Sequence, residues 1–275
     1  MKILIVGLGL MGGAYAYRLK EKGHIIYGYD LNKDNLNYAL DNNYIDYISF
    51  DLKEISNIDL LILATYPKDI IPFLNKYHHL FRDDLYITDI ASVKGKFLLD
   101  AVKLAKPAKY ISHHPMAGKE KTGIKYSKEC EFSNANFLIT TTIDNKEDEI
   151  ELIKSIGVDL GFGNIVTVDY DKQDLVIAYT SALTHAIAIS LVNSDNIEDA
   201  KNFIGDSYRD LTRIAMINEN LWSELFFENK DNLLNYIDIF IKNMEKIKDA
   251  LKNNDIESLK ELMVSSTNIR KSMNK

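Results

Sequence analysis

Apolar positions along the chain fall into two textures. Up to about residue 168 they gather in short unbroken runs: Lys2-Ile3-Leu4-Ile5-Val6, Ile25-Ile26-Tyr27-Gly28-Tyr29, Asp59-Leu60-Leu61-Ile62-Leu63-Ala64, Leu85-Tyr86-Ile87-Thr88-Asp89 and Tyr110-Ile111-Ser112-His113. Two more runs lie at 136–142 and 164–168. Runs this short and this apolar predict strands covered on both faces, as in a parallel sheet. Helical stretches separate them: residues 14–22, a segment after Pro67, one ending near Lys103, and a charged one from Lys146. Alternation of this kind predicts a doubly wound α/β domain. Beyond Asp169 the strand pattern stops. Residues 175–192 form the longest apolar stretch, interrupted by Tyr179, Thr180, Ser181, Thr184, His185 and Ser190, which predicts a buried helix rather than a membrane span. Leu233, Tyr236, Ile237, Phe240, Ile241, Met244, Ile247 and Leu251 recur at helical spacing. Asp255 is placed to cap a last helix bearing Ile256, Leu259, Leu262 and Met263.

The first run feeds into Gly7-Leu8-Gly9-Leu10-Met11-Gly12-Gly13, a G-x-G-x-x-G between a strand and a helix. The first glycine allows the tight turn, the second admits a pyrophosphate to the backbone, and the third lets helix and strand close up. The helix N-terminus then offers free N–H groups to phosphate. The second strand ends in Asp30, whose carboxylate suits ribose hydroxyls and repels a 2′-phosphate, so the expected cofactor is NAD rather than NADP. Gly7, Gly9, Leu10, Met11, Gly12, Asp30 and Thr65 are the expected cofactor-binding residues. The whole unit predicts a Rossmann-type domain with a mostly parallel sheet over residues 1–170, followed by an all-α domain over 171–275.

Charge and cysteine content narrow the partners. A net charge of −7 argues against nucleic acid and against an anionic membrane surface. Cys130 is the single cysteine, so no internal disulfide forms, which fits a reducing cytoplasm. The first residues already read as a strand and not as a secretory signal, so a cytoplasmic location is expected.

Chemistry concentrates in Ser112-His113-His114-Pro115-Met116-Ala117-Gly118-Lys119-Glu120-Lys121-Thr122-Gly123. The proline holds His114 in extended geometry at the end of a strand, where doubly wound sheets place ligands. His113, its neighbour on the strand, faces the other way. Together with G-L-G-L-M-G-G, D-I-A-S-V-K-G at residues 89–95 and D-L-T-R-I-A at 210–215, this segment resembles the prephenate dehydrogenases, a family that includes arogenate and cyclohexadienyl dehydrogenases. The resemblance covers nearly the whole chain, and H-P-M-A-G-K-E-K-T-G is its most specific part.

The resemblance implies NAD-dependent oxidative decarboxylation of prephenate to 4-hydroxyphenylpyruvate in tyrosine synthesis, without a metal. Arogenate is the alternative substrate, and a non-catalytic NAD-binding dimer the distant one. His114 matches the family's catalytic histidine, which takes the proton of the ring hydroxyl; Ser92 matches the serine that touches both. Arg213 matches an arginine that binds a substrate carboxylate, for which a guanidinium fork is well shaped. Read alone, Arg213 is a surface ion-pair residue for Asp210 or Glu219, and Ser92 a helix-capping or loop serine. Asp174 and His185 match pocket-lining positions, Glu120 an acid near the entrance, and Trp222 a residue near the neighbouring subunit's site. The family pattern S-H-x-P-H stands here as Ser181-Ala182-Leu183-Thr184-His185, without its first histidine and its proline. The resemblance further implies a homodimer formed through the C-terminal helices; some relatives carry an added regulatory domain, and with the sequence ending at Lys275 none is expected here.

Overall fold

The computed structural model describes residues 1–95, 97–118 and 121–273. A parallel sheet is built from β1 (Lys2–Val6), β2 (Ile25–Tyr29), β3 (Tyr47–Ile48), β4 (Leu60–Leu63), β5 (Tyr86–Asp89) and β6 (Lys109–Tyr110). Their order is β3-β2-β1-β4-β5-β6, and every pairing is parallel. The unbroken apolar runs follow from this. Ile3 and Ile5 enter one core cluster while Leu4 and Val6 enter the other, so neither face of β1 meets water. The connecting helices are α1 (Leu10–Glu21), α2 (Lys33–Asp41), α3 (Pro67–Tyr77) and α4 (Phe97–Leu104). The strand order turns around between β1 and β4, which opens a crevice at their carboxyl ends.

A second sheet holds β7 (Ser112–Pro115), β8 (Asn136–Thr141) and β9 (Asn164–Asp169), with α5 (Glu147–Leu160) crossing between the last two. β7 runs antiparallel to β8, and β8 parallel to β9. The run at 110–113, expected as one strand, is therefore two half-strands in different sheets. Ile111 marks the crossing: its amide still bonds to Ile87 O at 3.1 Å, and two residues later His113 is registered against Ile139. His114 consequently stands on the small sheet rather than at the edge of the large one.

The helical part begins with α6 (Tyr170–Ile177) and α7 (Leu183–Asn193), joined through one wide π turn at Ala178–Ala182. They form a single apolar helix, Tyr170–Asn193, of which only 28% of the most apolar window is buried. The expected burial is thus not met among the described residues: Leu175, Tyr179, Leu191 and Val192 are exposed. α8 (Asp206–Thr212) and α9 (Glu219–Glu228) complete a compact unit that spans Met1–Asn229. A second unit, Lys230–Lys275, contains α10 (Lys230–Lys252) and α11 (Ile256–Ser272). Asp255 caps α11 by accepting from Ser258 N at 3.0 Å.

Candidate active site

The glycine loop is shaped by what its residues lack. Gly7 has φ +93°, a region costly for other residues, and a Cβ there would sit 2.5 Å from Ala64 O. A Cβ on Gly12 would overlap the carbonyl oxygen of Gly7. α1 therefore starts hard against β1, and its N-terminal Gly9 brings no capping side chain to the first amides. Leu10 and Met11 anchor that turn on the first core cluster. Asp30, at the end of β2, accepts from Leu8 N at 2.6 Å and from Asn32 N at 2.7 Å, so its carboxylate braces the loop. Thr65, after β4, lies beside Gly7, and its buried Oγ1 has no protein hydrogen-bond partner. Open amides, a carboxylate fixed beside them and an orphan hydroxyl fit a dinucleotide whose pyrophosphate lies on α1.

His114 is half-buried on β7, opposite Leu138. Its Nδ1 lies 3.1 Å from Ile90 O. A carbonyl only accepts, so Nδ1 carries the hydrogen and Nε2 keeps its lone pair. Burial and the Lys94 ammonium push the imidazole down to about 4, so it is neutral at ordinary pH. His113 faces the opposite way, as strand alternation requires, and lies wholly buried between Tyr15 OH at 3.0 Å and Thr88 Oγ1 at 2.7 Å.

The segment from Asp89 to Gly95 carries the expected Ser92. Beneath it lies a fully buried ion pair, Lys94 Nζ to Asp89 Oδ1 at 3.0 Å. The ammonium also donates to Ala91 O and, at 2.9 Å, to His113 O. Asp89 accepts in addition from Tyr110 OH at 2.9 Å, from Ser112 Oγ and from Ala91 N. One lysine thus ties the serine segment to the strand of His114. Lys94 stands in the D-I-A-S-V-K-G motif, yet sequence alone assigns it no role, because Lys is ordinarily a surface residue.

The other expected residues distribute around this centre. Asp174 turns its carboxylate to Lys94 N and Gly95 N. His185 stacks on Trp222 with ring centroids 3.5 Å apart, and its Nδ1 donates to Ser181 O at 2.9 Å. Trp222 packs on a small cluster with Val93, Leu138 and Met116, which are neighbours in sequence or in register of Ser92 and His114. Arg213 lies exposed in the turn after α8, which packs on α7. Glu120 lies outside the described residues. Besides Lys94, two contributors escaped the sequence: Gln173 donates to Ser92 O at 3.1 Å and Tyr170 to Gly95 O at 2.6 Å. Their only sequence signal is adjacency to Asp174.

Two family models match the chain: "Prephenate dehydrogenase, nucleotide-binding domain" over residues 15–165 and "Prephenate dehydrogenase, dimerization domain" over 169–265. The chain is 31% identical to a prephenate dehydrogenase of Bacillus subtilis, across 94% of this chain and 72% of that one. It is 25% identical to a cyclohexadienyl dehydrogenase of Zymomonas mobilis, across 98% and 94%. A crystal structure of the Aquifex aeolicus prephenate dehydrogenase, in complex with hydroxyphenyl propionate and NAD+, superposes with a TM-score of 0.88 at 28% identity, across 99% of this chain and 98% of that one.

Proposed function

The chain belongs to the prephenate dehydrogenase family, and on that premise we propose that it oxidises prephenate to 4-hydroxyphenylpyruvate with loss of CO2, using NAD. It is an oxidoreductase with an NAD-binding domain. Gly7, Gly9, Leu10, Met11, Gly12, Asp30 and Thr65 hold the cofactor. NAD, when bound, supplies the acceptor for the hydride that leaves C4 of the substrate ring.

The protein's own part is to place the ring and manage one proton. Nε2 of His114 accepts the proton of the C4 hydroxyl as the C–O bond becomes a carbonyl. The ring carboxylate then leaves as CO2, its electron pair enters the ring, and the oxygen regains a proton from the imidazolium. A phenol forms and His114 ends neutral. Ser92 orients the hydroxyl toward the imidazole. Arg213 pairs with a substrate carboxylate, and His185, Trp222 and Glu120 complete the pocket. The observation that carries this reading is the neutral imidazole, with Nδ1 committed to Ile90 O and Nε2 left to accept.

The relative that acts as a cyclohexadienyl dehydrogenase keeps arogenate as a second reading. The two substrates differ at a side-chain keto or amino group remote from C4. Following NADH absorbance with each substrate decides between them: kcat/KM is expected to be higher on prephenate, and a higher value on arogenate reverses the assignment. The match to a dimerisation domain and the exposed apolar face of Tyr170–Asn193 support a homodimer through the helical region, with its border at 170/171. A cytoplasmic site fits this chemistry.

A further inference from the structure

The segment that carries Ser92 is gripped from two sides. From inside the fold Lys94 Nζ holds Ala91 O and His113 O, and so fixes the segment to β7. From outside, four hydrogen bonds come from a single turn of α6. Gln173 Nε2 donates to Ser92 O at 3.1 Å. The Asp174 carboxylate accepts from Lys94 N at 2.8 Å and Gly95 N at 2.7 Å, one oxygen to each. Tyr170 OH donates to Gly95 O at 2.6 Å. The turn is itself secured, because Asn229 Nδ2 donates to Asp174 O at 2.7 Å. The α6 bonds go to main-chain atoms at Ser92 and after it, and the Lys94 bond to Ala91 O holds the residue before it, so together they fix the main chain that carries its hydroxyl.

We propose that Tyr170, Gln173 and Asp174 are positioning residues for the proton transfer: they set Ser92 relative to His114, and Asp174 acts through that loop rather than by touching the substrate. The proposal deepens the reading of Ser92 and His114 above and rests on it. Asp174 was expected to line the substrate pocket. A carboxylate with each oxygen engaged by an amide is spent on the loop, where it satisfies the N–H groups of Lys94 and Gly95 that would otherwise lack partners ahead of α4. A positioning residue and a substrate ligand differ in kinetics. Loss of a substrate ligand that binds ground and transition states alike raises KM and leaves kcat, whereas a displaced catalytic loop lowers kcat.

The test uses the full-length enzyme with prephenate and NAD, and four variants: Ser92→Ala, Asp174→Ala, Asp174→Asn and the double variant Ser92→Ala/Asp174→Ala. Asp174→Ala is expected to lower kcat by about 10- to 100-fold, with KM for prephenate and the Kd of NAD within about twofold. Asp174→Asn keeps one acceptor oxygen and is expected to recover part of the loss. In the Ser92→Ala background, removal of Asp174 is expected to cost little more, since both act on one step. Tyr170→Phe, which removes one hydroxyl, takes the same measurements if Asp174→Ala fails to fold. A raised KM with unchanged kcat, or losses that multiply fully in the double variant, overturns the proposal. Ser92→Ala with wild-type kcat overturns the role of Ser92 and this inference with it. An impaired Ser92→Ala beside an unimpaired Asp174→Ala overturns the inference alone.

Discussion

At the glycine loop the backbone makes the site: Gly7 and Gly12 matter for the atoms they lack, and every contributor except Thr65 lies within the first thirty residues. Around His114 the site is made by side chains reaching to carbonyls and amides of distant segments, from Asp89 to Asp174. The first arrangement is local and modular. The second is a network, in which Lys94 serves Asp89, Ala91 and His113 at once. Buried networks are costly when one member is lost, since the remaining polar groups keep their desolvation penalty. The two regions are therefore expected to fail differently.

The sharpest separation comes from His114→Asn. Removing the base is expected to lower kcat by about 10²- to 10⁴-fold, while the Kd of NAD stays near wild type because the glycine loop is untouched. Steady-state kinetics and an NAD titration measure both. Unchanged turnover rejects the mechanism. The same residue predicts a pH profile. Protonated imidazole cannot accept the substrate proton, so activity is lost as pH falls through the histidine's pKa. Lys94 pushes that pKa down, Asp89 pulls it up more weakly, and His113 stays neutral through its own burial. The acidic limb of kcat/KM is thus expected near pH 4, the value burial and Lys94 give His114. A limb at the ordinary histidine position contradicts the downward push of burial and of Lys94.

Lys94→Met tests the network as a whole. It leaves Asp89 buried with its charge and without its cation, a loss of about 3–5 kcal/mol in comparable pairs. Chemical denaturation is expected to show that loss, and the compound change Asp89→Asn/Lys94→Met to regain part of it by removing the orphaned charge. If Lys94→Met alone is as stable as wild type, the buried pair does not hold the serine segment to the strand of His114.

What the sequence revealed divides along the same line. The glycine turn between β1 and α1, the opposite facing of His113 and His114, and the Asp255 cap are legible because each depends on residues a few places apart. The split at Ile111 is not. Both halves are extended and buried, and nothing in 110–115 marks which sheet each joins. Nor is the exposed face of Tyr170–Asn193, since composition records apolarity and not what covers it. Asp174 could be picked out as a polar residue on an apolar helix, but its partners are two amides about eighty residues away, and such pairings leave no trace in spacing.

Arg213→Ala probes the proposed contact with the substrate carboxylate. A carboxylate contact is lost in ground and transition states alike, so KM for prephenate is expected to rise by about 10- to 100-fold with kcat little changed. An unaltered KM removes Arg213 from the pocket.

Asp30→Ser gives the smallest effect and asks whether the nucleotide end is as modular as described. If the carboxylate excludes a 2′-phosphate as proposed, its loss is expected to bring the NAD and NADP affinities closer by about tenfold. Asp30 also receives Leu8 N and Asn32 N, so serine gives up a brace of the loop along with a charge. The ratio is therefore expected to shift more through weaker NAD binding than through stronger NADP binding. Titration of both cofactors separates the two contributions. If NADP affinity rises and NAD affinity stays put, the bonds to Leu8 and Asn32 are dispensable and the loop holds its shape through its glycines alone. If the ratio does not move, discrimination lies elsewhere, and the contrast between a local nucleotide site and a distributed catalytic one loses its clearest example.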